Sequence, residues 1–218
     1  MNICHHPNDE TLLDYTSGAL GEAWSLAIAT HLAICPDCRK SVERMEAVAG
    51  SLFDVSPAAS VSEGLLETIM TRMDDAPEYA APRVAPERDN SACLPQPLRG
   101  YAGGDADALE WRRLGPAAHQ VVLLAEEDDT VARLLRIPAG KPVPEHTHGG
   151  NEMTLVLRGA FEDHTGRYGR GDFQEADETV MHRPFAAPGE DCICLAVTDA
   201  PLRFKSMAAR LLQPVIGI

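Results

Sequence analysis

The sequence predicts an α+β chain of two domains, a small helical bundle followed by an all-β sandwich or barrel, and three observations carry that expectation. Residues 1–76 hold amphipathic runs of helix formers bracketed by cap residues. Residues 77–97 contain five of the sixteen prolines, Pro77, Pro82, Pro86, Pro95 and Pro97, among Ala, Glu, Arg and Asp, and read as an extended linker. Across residues 98–218 the apolar period changes to two, in short runs separated by Gly, Pro and Asp.

Asn8 is a plausible N-cap before the first helix, DETLLDY, and Gly18 and Gly21 bracket the turn that follows. EAWSLAIATHLAIC forms a second helix up to Pro36. A third, PDCRKSVERMEAVAGSLF, starts with that proline at its first position, where a missing N–H costs nothing. The fourth, VSEGLLETIMTRMDD, sets Leu65, Leu66, Ile69, Met70 and Met73 on one face. Such a stripe is more often core. A domain of this size has little core to share, however, and Met-bearing faces suit adaptable binding, so these five are also candidate partner-binding residues. Beyond the linker, HQVVLLA, TVARLLRI, MTLVLRGAF and CICLAV read as strands.

Composition narrows the function classes. With 44% hydrophobic and 24% charged residues and no apolar run long enough to span a bilayer, the chain is expected to be globular and soluble. Its start, MNICHHPNDE, has neither the basic nor the apolar region of a signal peptide, which points to the cytoplasm and to reduced thiols. The six cysteines are then candidates for metal binding or redox sensing rather than staples. A formal charge of −14 argues against direct binding to nucleic acid but not against a basic protein partner. The excess is densest early: residues 1–85 carry thirteen acidic and five basic side chains.

HLAICPDCRK places His31, Cys35 and Cys38 in H-x3-C-x2-C spacing. His31 and Cys35 share a helix face at i,i+4, and Cys38 lies just past the Pro36 break, where it can curl back. The fourth tetrahedral ligand would come from Cys4, His5 or His6; His6, nearest the first helix, is the first choice and Cys4 the second. A mixed N and S set suits zinc, whose binding would add folding energy to a small domain.

GKPVPEHTHGGNEMTLVLRG then supplies His146, His148 and Glu152, and GDFQEADETVMH adds His182. Alternation on a strand points His146 and His148 the same way, and Glu152 can return from the next strand. Three histidines and one carboxylate suit zinc or another divalent metal, without selecting among them. Cys192 and Cys194 face one way on a strand and form a possible redox pair, although buried free Cys is also a common small core residue. Cys93, His119 and His164 have no spaced partners.

Two resemblances follow. The pattern His6…His31-x3-Cys35-x2-Cys38 resembles the zinc-binding anti-sigma domain, and G-x5-H-x-H-x3-E-x6-G from Gly140 to Gly159, with His182 after Gly171, resembles the two halves of the cupin motif. The second half departs from that pattern: Asp177 and Thr179 stand where proline and glycine are usual. Joined by a proline-rich linker, the two resemble the ChrR family of anti-sigma factors over nearly the whole chain. That resemblance implies an N-terminal zinc helical bundle and a C-terminal all-β cupin barrel. It further implies 1:1 sequestration of an extracytoplasmic-function sigma factor, release on singlet oxygen or related oxidants, and no enzymatic role. The alternative is a metal-dependent cupin enzyme, a dioxygenase or isomerase, with an accessory zinc module, because such a site leaves coordination positions open.

Overall fold

The computed structural model describes residues 2–74, 92–115 and 118–205. Five helices are present among them: α1 (Asp9–Ser17), α2 (Glu22–Ile34), α3 (Pro36–Ser51), α4 (Leu65–Asp74) and α5 (Gln96–Ala102). Their ends follow local chemistry. The Asn8 side chain accepts from the Thr11 N–H at 2.8 Å to cap α1, and Gly18, at φ +74°, closes it in the left-handed conformation. Pro36 opens α3, and no described helix is long and apolar enough to cross a membrane.

The strands are β1 (Arg112–Leu114), β2 (Ala118–Ala125), β3 (Val131–Ile137), β4 (His146–Thr147), β5 (Glu152–Arg158), β6 (Ala160–Asp163), β7 (Gly166–Gly169), β8 (Phe173–Ala176), β9 (Phe185–Ala186), β10 (Cys192–Thr198) and β11 (Arg203–Phe204). They form an antiparallel six-stranded sheet in the order β1-β2-β3-β10-β5-β8, a three-stranded sheet β7-β6-β9 and a two-stranded sheet β11-β4. The run MTLVLRGAF is divided at Gly159, whose φ of +68° turns the chain from one sheet to another. A Cβ at that glycine would sit 2.6 Å from the Asp191 carbonyl oxygen.

The expectation of a closed barrel is corrected here: the sheets do not close. Among the described residues no ladder joins the six-stranded sheet to the smaller two, so β1 and β8 remain its edges. Prolines supply a reason, since Pro142, Pro144, Pro184 and Pro201 flank the two-residue strands β4, β9 and β11, and each lacks the N–H that a longer ladder needs. The β part is an open arrangement of separate sheets.

One buried cluster runs from the helices into the large sheet, including Leu12, Ile28 and Val42 on the helical side and Leu134, Leu155 and Leu195 on the sheet side. Helix α2 touches β3, β5 and β10 and is apolar nearly all round, as a helix covered on several sides must be. The sheet residues alternate. Ile193, Leu195 and Val197 belong to the cluster shared with α2, whereas Cys192, Cys194 and Val156 belong to a second cluster with Phe161, Tyr168 and Ala186. Burial on both faces explains why CICLAV is apolar throughout.

Of the proline-rich stretch, residues 77–91 lie outside the described residues. Ala92, Cys93 and Leu94 are buried, the Cys93 and Leu94 N–H groups donate to Asp105 at 3.1 and 2.8 Å, and α5 follows Pro95. Cys93 is therefore a core thiol, pushed up to about 11 by burial.

Candidate functional site: two metal centres

The first centre gathers at the junction of α2 and α3. His31 lies in the last turn of α2, Cys35 is the residue between the helices, and Cys38 occupies the first turn of α3. His6 arrives from the segment before α1. His31 Nε2 stands 3.3 Å from Cys38 Sγ, and His6 Nδ1 stands 3.5 and 3.3 Å from the sulfurs of Cys35 and Cys38. Tetrahedral zinc, with bonds of about 2.0 Å to N and 2.3 Å to S, separates such ligands by about 3.5 Å. The donor set and its spacing fit zinc. Cys4 stays outside, its exposed thiol near Asn2.

Electrostatics point the same way. Burial, with the neighbouring His6, pushes His31 down to about 4, so its imidazole is neutral and can ligate. Burial and the adjacent Cys35 push the Cys38 thiol up to about 12. Two buried thiols side by side lack the positive charge that would stabilise thiolates, and a divalent cation supplies it.

The second centre lies between the sheets. An antiparallel backbone pair joins His146 and His182, each N–H donating to the other's carbonyl at 3.0 Å, which sets both side chains on one face. His182 Nε2 is 3.1 Å from His146 Nε2 and 3.2 Å from His148 Nε2. Glu152, at the start of β5, brings Oε2 to 2.8 Å from His148 Nδ1, and one donor atom from each of the four residues lies within 4.8 Å of the others.

The tautomers make these contacts informative. Pro144 O, 2.7 Å from His146 Nδ1, can only accept, so that nitrogen carries the proton. Asp163 Oδ2, 2.9 Å from His182 Nδ1, is likewise an acceptor: burial opposes its ionisation, but hydrogen bonds from Thr165, Gln174 and His182 hold it at about 2. With both rings neutral, the facing Nε2 atoms are bare lone pairs at contact distance. They repel unless a cation lies between them, and the arrangement of ligands oriented through their far nitrogens is that of a metal site. Burial opposes the ionisation of Glu152, but hydrogen bonds from His148 and Thr154 and the neighbouring His148 and His146 rings together hold it at about 2. The group therefore offers three imidazole nitrogens and one carboxylate to a divalent ion, which would act as a Lewis acid toward an oxygen ligand.

A cavity of about 70 Å³ adjoins this centre, lined by His146, Glu152, His182, Phe161, Leu135 and Cys194 among others. Cys192 and Cys194 are buried free thiols, and a hydrogen bond with Cys192, together with burial, raises Cys194 further. The candidate face on α4 stands clear of the core: Leu65, Leu66, Ile69, Met70 and Met73 are 39–74% exposed, and α4 buries none of its residues.

The supporting groups Asp163, Gln174 and Asp172 were not legible in the sequence. Their carboxylates and amide have no fixed spacing from the ligands; only a strand register brings them into place.

Residues 101–201 match a family model described as the ChrR cupin-like domain. The anti-sigma-E factor ChrR of Cereibacter sphaeroides is 44% identical over 218 residues, covering the whole of both chains. In the solved structures, a chain of the Rhodobacter sphaeroides SigE complex with the anti-sigma ChrR aligns with a TM-score of 0.79 and 42% identity, covering 90% of this chain and 99% of that one. Since that match covers both chains from end to end at 44% identity, the chain belongs to the ChrR family of anti-sigma factors.

Proposed function

We infer that the chain is an anti-sigma factor: it binds an extracytoplasmic-function sigma factor and so represses transcription, without catalysing a reaction. The observation that carries this is the end-to-end likeness to ChrR, together with a solved relative that is in complex with SigE. The enzyme alternative has no comparable support. Because a sigma factor works with RNA polymerase, the site of action is the cytoplasm.

The division of labour extends that reading. Residues 1–76 hold the sigma factor, residues 77–97 connect, and residues 98–218 respond to the signal. The exposed apolar face of α4 is a docking surface, and the acidic excess of residues 1–85 complements basic surfaces that a sigma factor uses on DNA. His6, His31, Cys35 and Cys38 hold zinc, and His146, His148, Glu152 and His182 hold zinc or another divalent ion. An oxidant such as singlet oxygen acts at or near the second centre, where Cys194 lines the cavity, and Cys192 and Cys194 are the candidate redox pair. The raised pKa of Cys194 makes it a poor nucleophile at rest, so the response requires the cavity or the metal to change first. Moving a bound population from almost complete to almost empty takes about 5 kcal/mol of differential affinity, more than a single surface contact supplies.

The test is co-elution of the metal-loaded full chain with the extracytoplasmic-function sigma factors of its own cell. A stoichiometric complex is expected, weakened by His31→Ala or Cys35→Ser; His146→Ala should leave binding intact and abolish release by singlet oxygen. A correctly folded, metal-loaded chain that binds none of these sigma factors would defeat the proposal.

A further inference from the structure

His6 differs from its three partners in the first cluster. His31, Cys35 and Cys38 are buried at a helix junction that fixes them through the backbone, whereas His6 is exposed on a segment with no regular structure of its own. What fixes that segment comes from the far end of the chain. Asp172 Oδ1 accepts from the Cys4 N–H at 2.7 Å and the His5 N–H at 3.0 Å, while its Oδ2 accepts from the Gly169 N–H at 2.8 Å. The next residue, Phe173, donates its N–H to the His5 carbonyl at 3.1 Å, and its ring meets His31 edge-on at 5.6 Å. The His5 ring lies over Tyr168 at 4.3 Å. At Gly171, φ is +88° and a Cβ would come within 2.8 Å of Ile3 Cδ1, so the turn closes onto this segment only as glycine.

The other side of His6 is held too. Glu175 accepts from the Asn8 N–H at 3.0 Å, from Asn8 Nδ2 at 2.9 Å and from Thr11 Oγ1 at 2.6 Å. Each of these hydrogen bonds to the N-terminal segment is therefore made by β8 or by the turn leading into it, and Tyr168 of β7 adds the ring contact. Residues on that strand alternate: Phe173 and Glu175 face the helices, and between them Gln174 Nε2 donates to Asp163 at 3.1 Å, behind His182.

We propose that Asp172 and Glu175 are positioning residues for His6, so that the sheet-bearing half of the chain completes the first metal cluster by bracketing its one exposed ligand. The inference rests on the reading of that cluster as a metal site. Groups that orient a ligand typically change metal affinity about ten- to hundredfold when removed. Asp172 acts on His6 through two backbone N–H groups, and Glu175 through the N-cap of α1.

The experiment is a cobalt titration of the metal-stripped full chain, read at the thiolate-to-cobalt charge-transfer band. That band reports Cys35 and Cys38: it should weaken in Cys35→Ser, which leaves one thiolate, and vanish when Cys38→Ser is added. Asp172→Ala should need about ten- to hundredfold more cobalt for half of the band, with the band-free absorption of the nitrogen and oxygen site unchanged. In a His6→Ala background the same substitution should shift the midpoint by less than about twofold, because the group it acts through is gone. An unchanged midpoint in Asp172→Ala, or an undiminished loss in the His6→Ala background, overturns the proposal. Should Asp172→Ala lose the second site as well, Glu175→Ala decides in its place: a weakened charge-transfer site with an intact second site supports bracketing, and an unchanged one overturns it. A wild-type chain that never develops the band would instead sink the metal reading of the cluster.

Discussion

His31 and His146 are buried imidazoles whose neutrality the fold enforces, each pushed from 6.5 to about 4 chiefly by loss of solvent. The unfolded chain takes up these protons first, so stability rises with pH wherever the unfolded state is the more protonated. For the metal-free protein this predicts a thermal midpoint that falls as pH drops from 6.5 toward 4, at up to about 3 kcal/mol per histidine. Asp163 extends the loss: its carboxylate contributes stability above 3.8 that disappears as pH falls through about 2. Melting curves across this range check the sign, and a midpoint that stays level from 6.5 to 4 would contradict the burial of both rings. Most of the clustered residues were legible at this scale, because H-x3-C-x2-C at a helix break and H-x-H beside a strand are local spacings that bring side chains together. The second oxygen behind His182 was not, since Asp163 reaches it only across sheets.

Among the elements, α4 and α2 illustrate opposite fates of apolar sequence. Both are amphipathic or apolar enough to be core, yet α2 is covered by helices and sheet while α4 buries nothing. That open apolar face is what the proposed docking surface rests on. Met70→Asp, at a position 51% exposed, should lower affinity for the sigma factor at least tenfold, or about 1.4 kcal/mol, with a thermal midpoint unchanged in the free protein. Paired binding and melting measurements separate the outcomes: a large stability loss with unchanged affinity would make α4 a structural element. At the same scale, CICLAV was readable as a strand but not as one buried on both faces, and MTLVLRGAF concealed a turn at Gly159.

Across the whole molecule, the helices and the large sheet share a core, with Ile28 of α2 fully buried against it. Trp24 on α2 and Trp111 before β1 pack against the same cluster, so they report on its two sides. Single-tryptophan variants, Trp24→Phe and Trp111→Phe, should melt at coincident midpoints, and Ile28→Ala should lower both together, at about 2–5 kcal/mol. Two separated transitions would show that the halves fold independently and that the shared cluster adds little. Strand β8 links the surroundings of the two centres, its Phe173 meeting His31 edge-on and its Gln174 donating to Asp163 behind His182.

The sequence by itself determined the order of helical and β parts, the two ligand-bearing motifs and the family, because capping, periodicity and ligand spacing are local properties of the chain. Tertiary structure alone decided that the sheets stay open, that α4 lies exposed, that His6 rather than Cys4 joins the first cluster and that Asp172 reaches back to the N-terminal segment. Each of these depends on contacts between residues distant along the chain, 168 positions apart for Cys4 and Asp172, and no local pattern encodes where such partners meet.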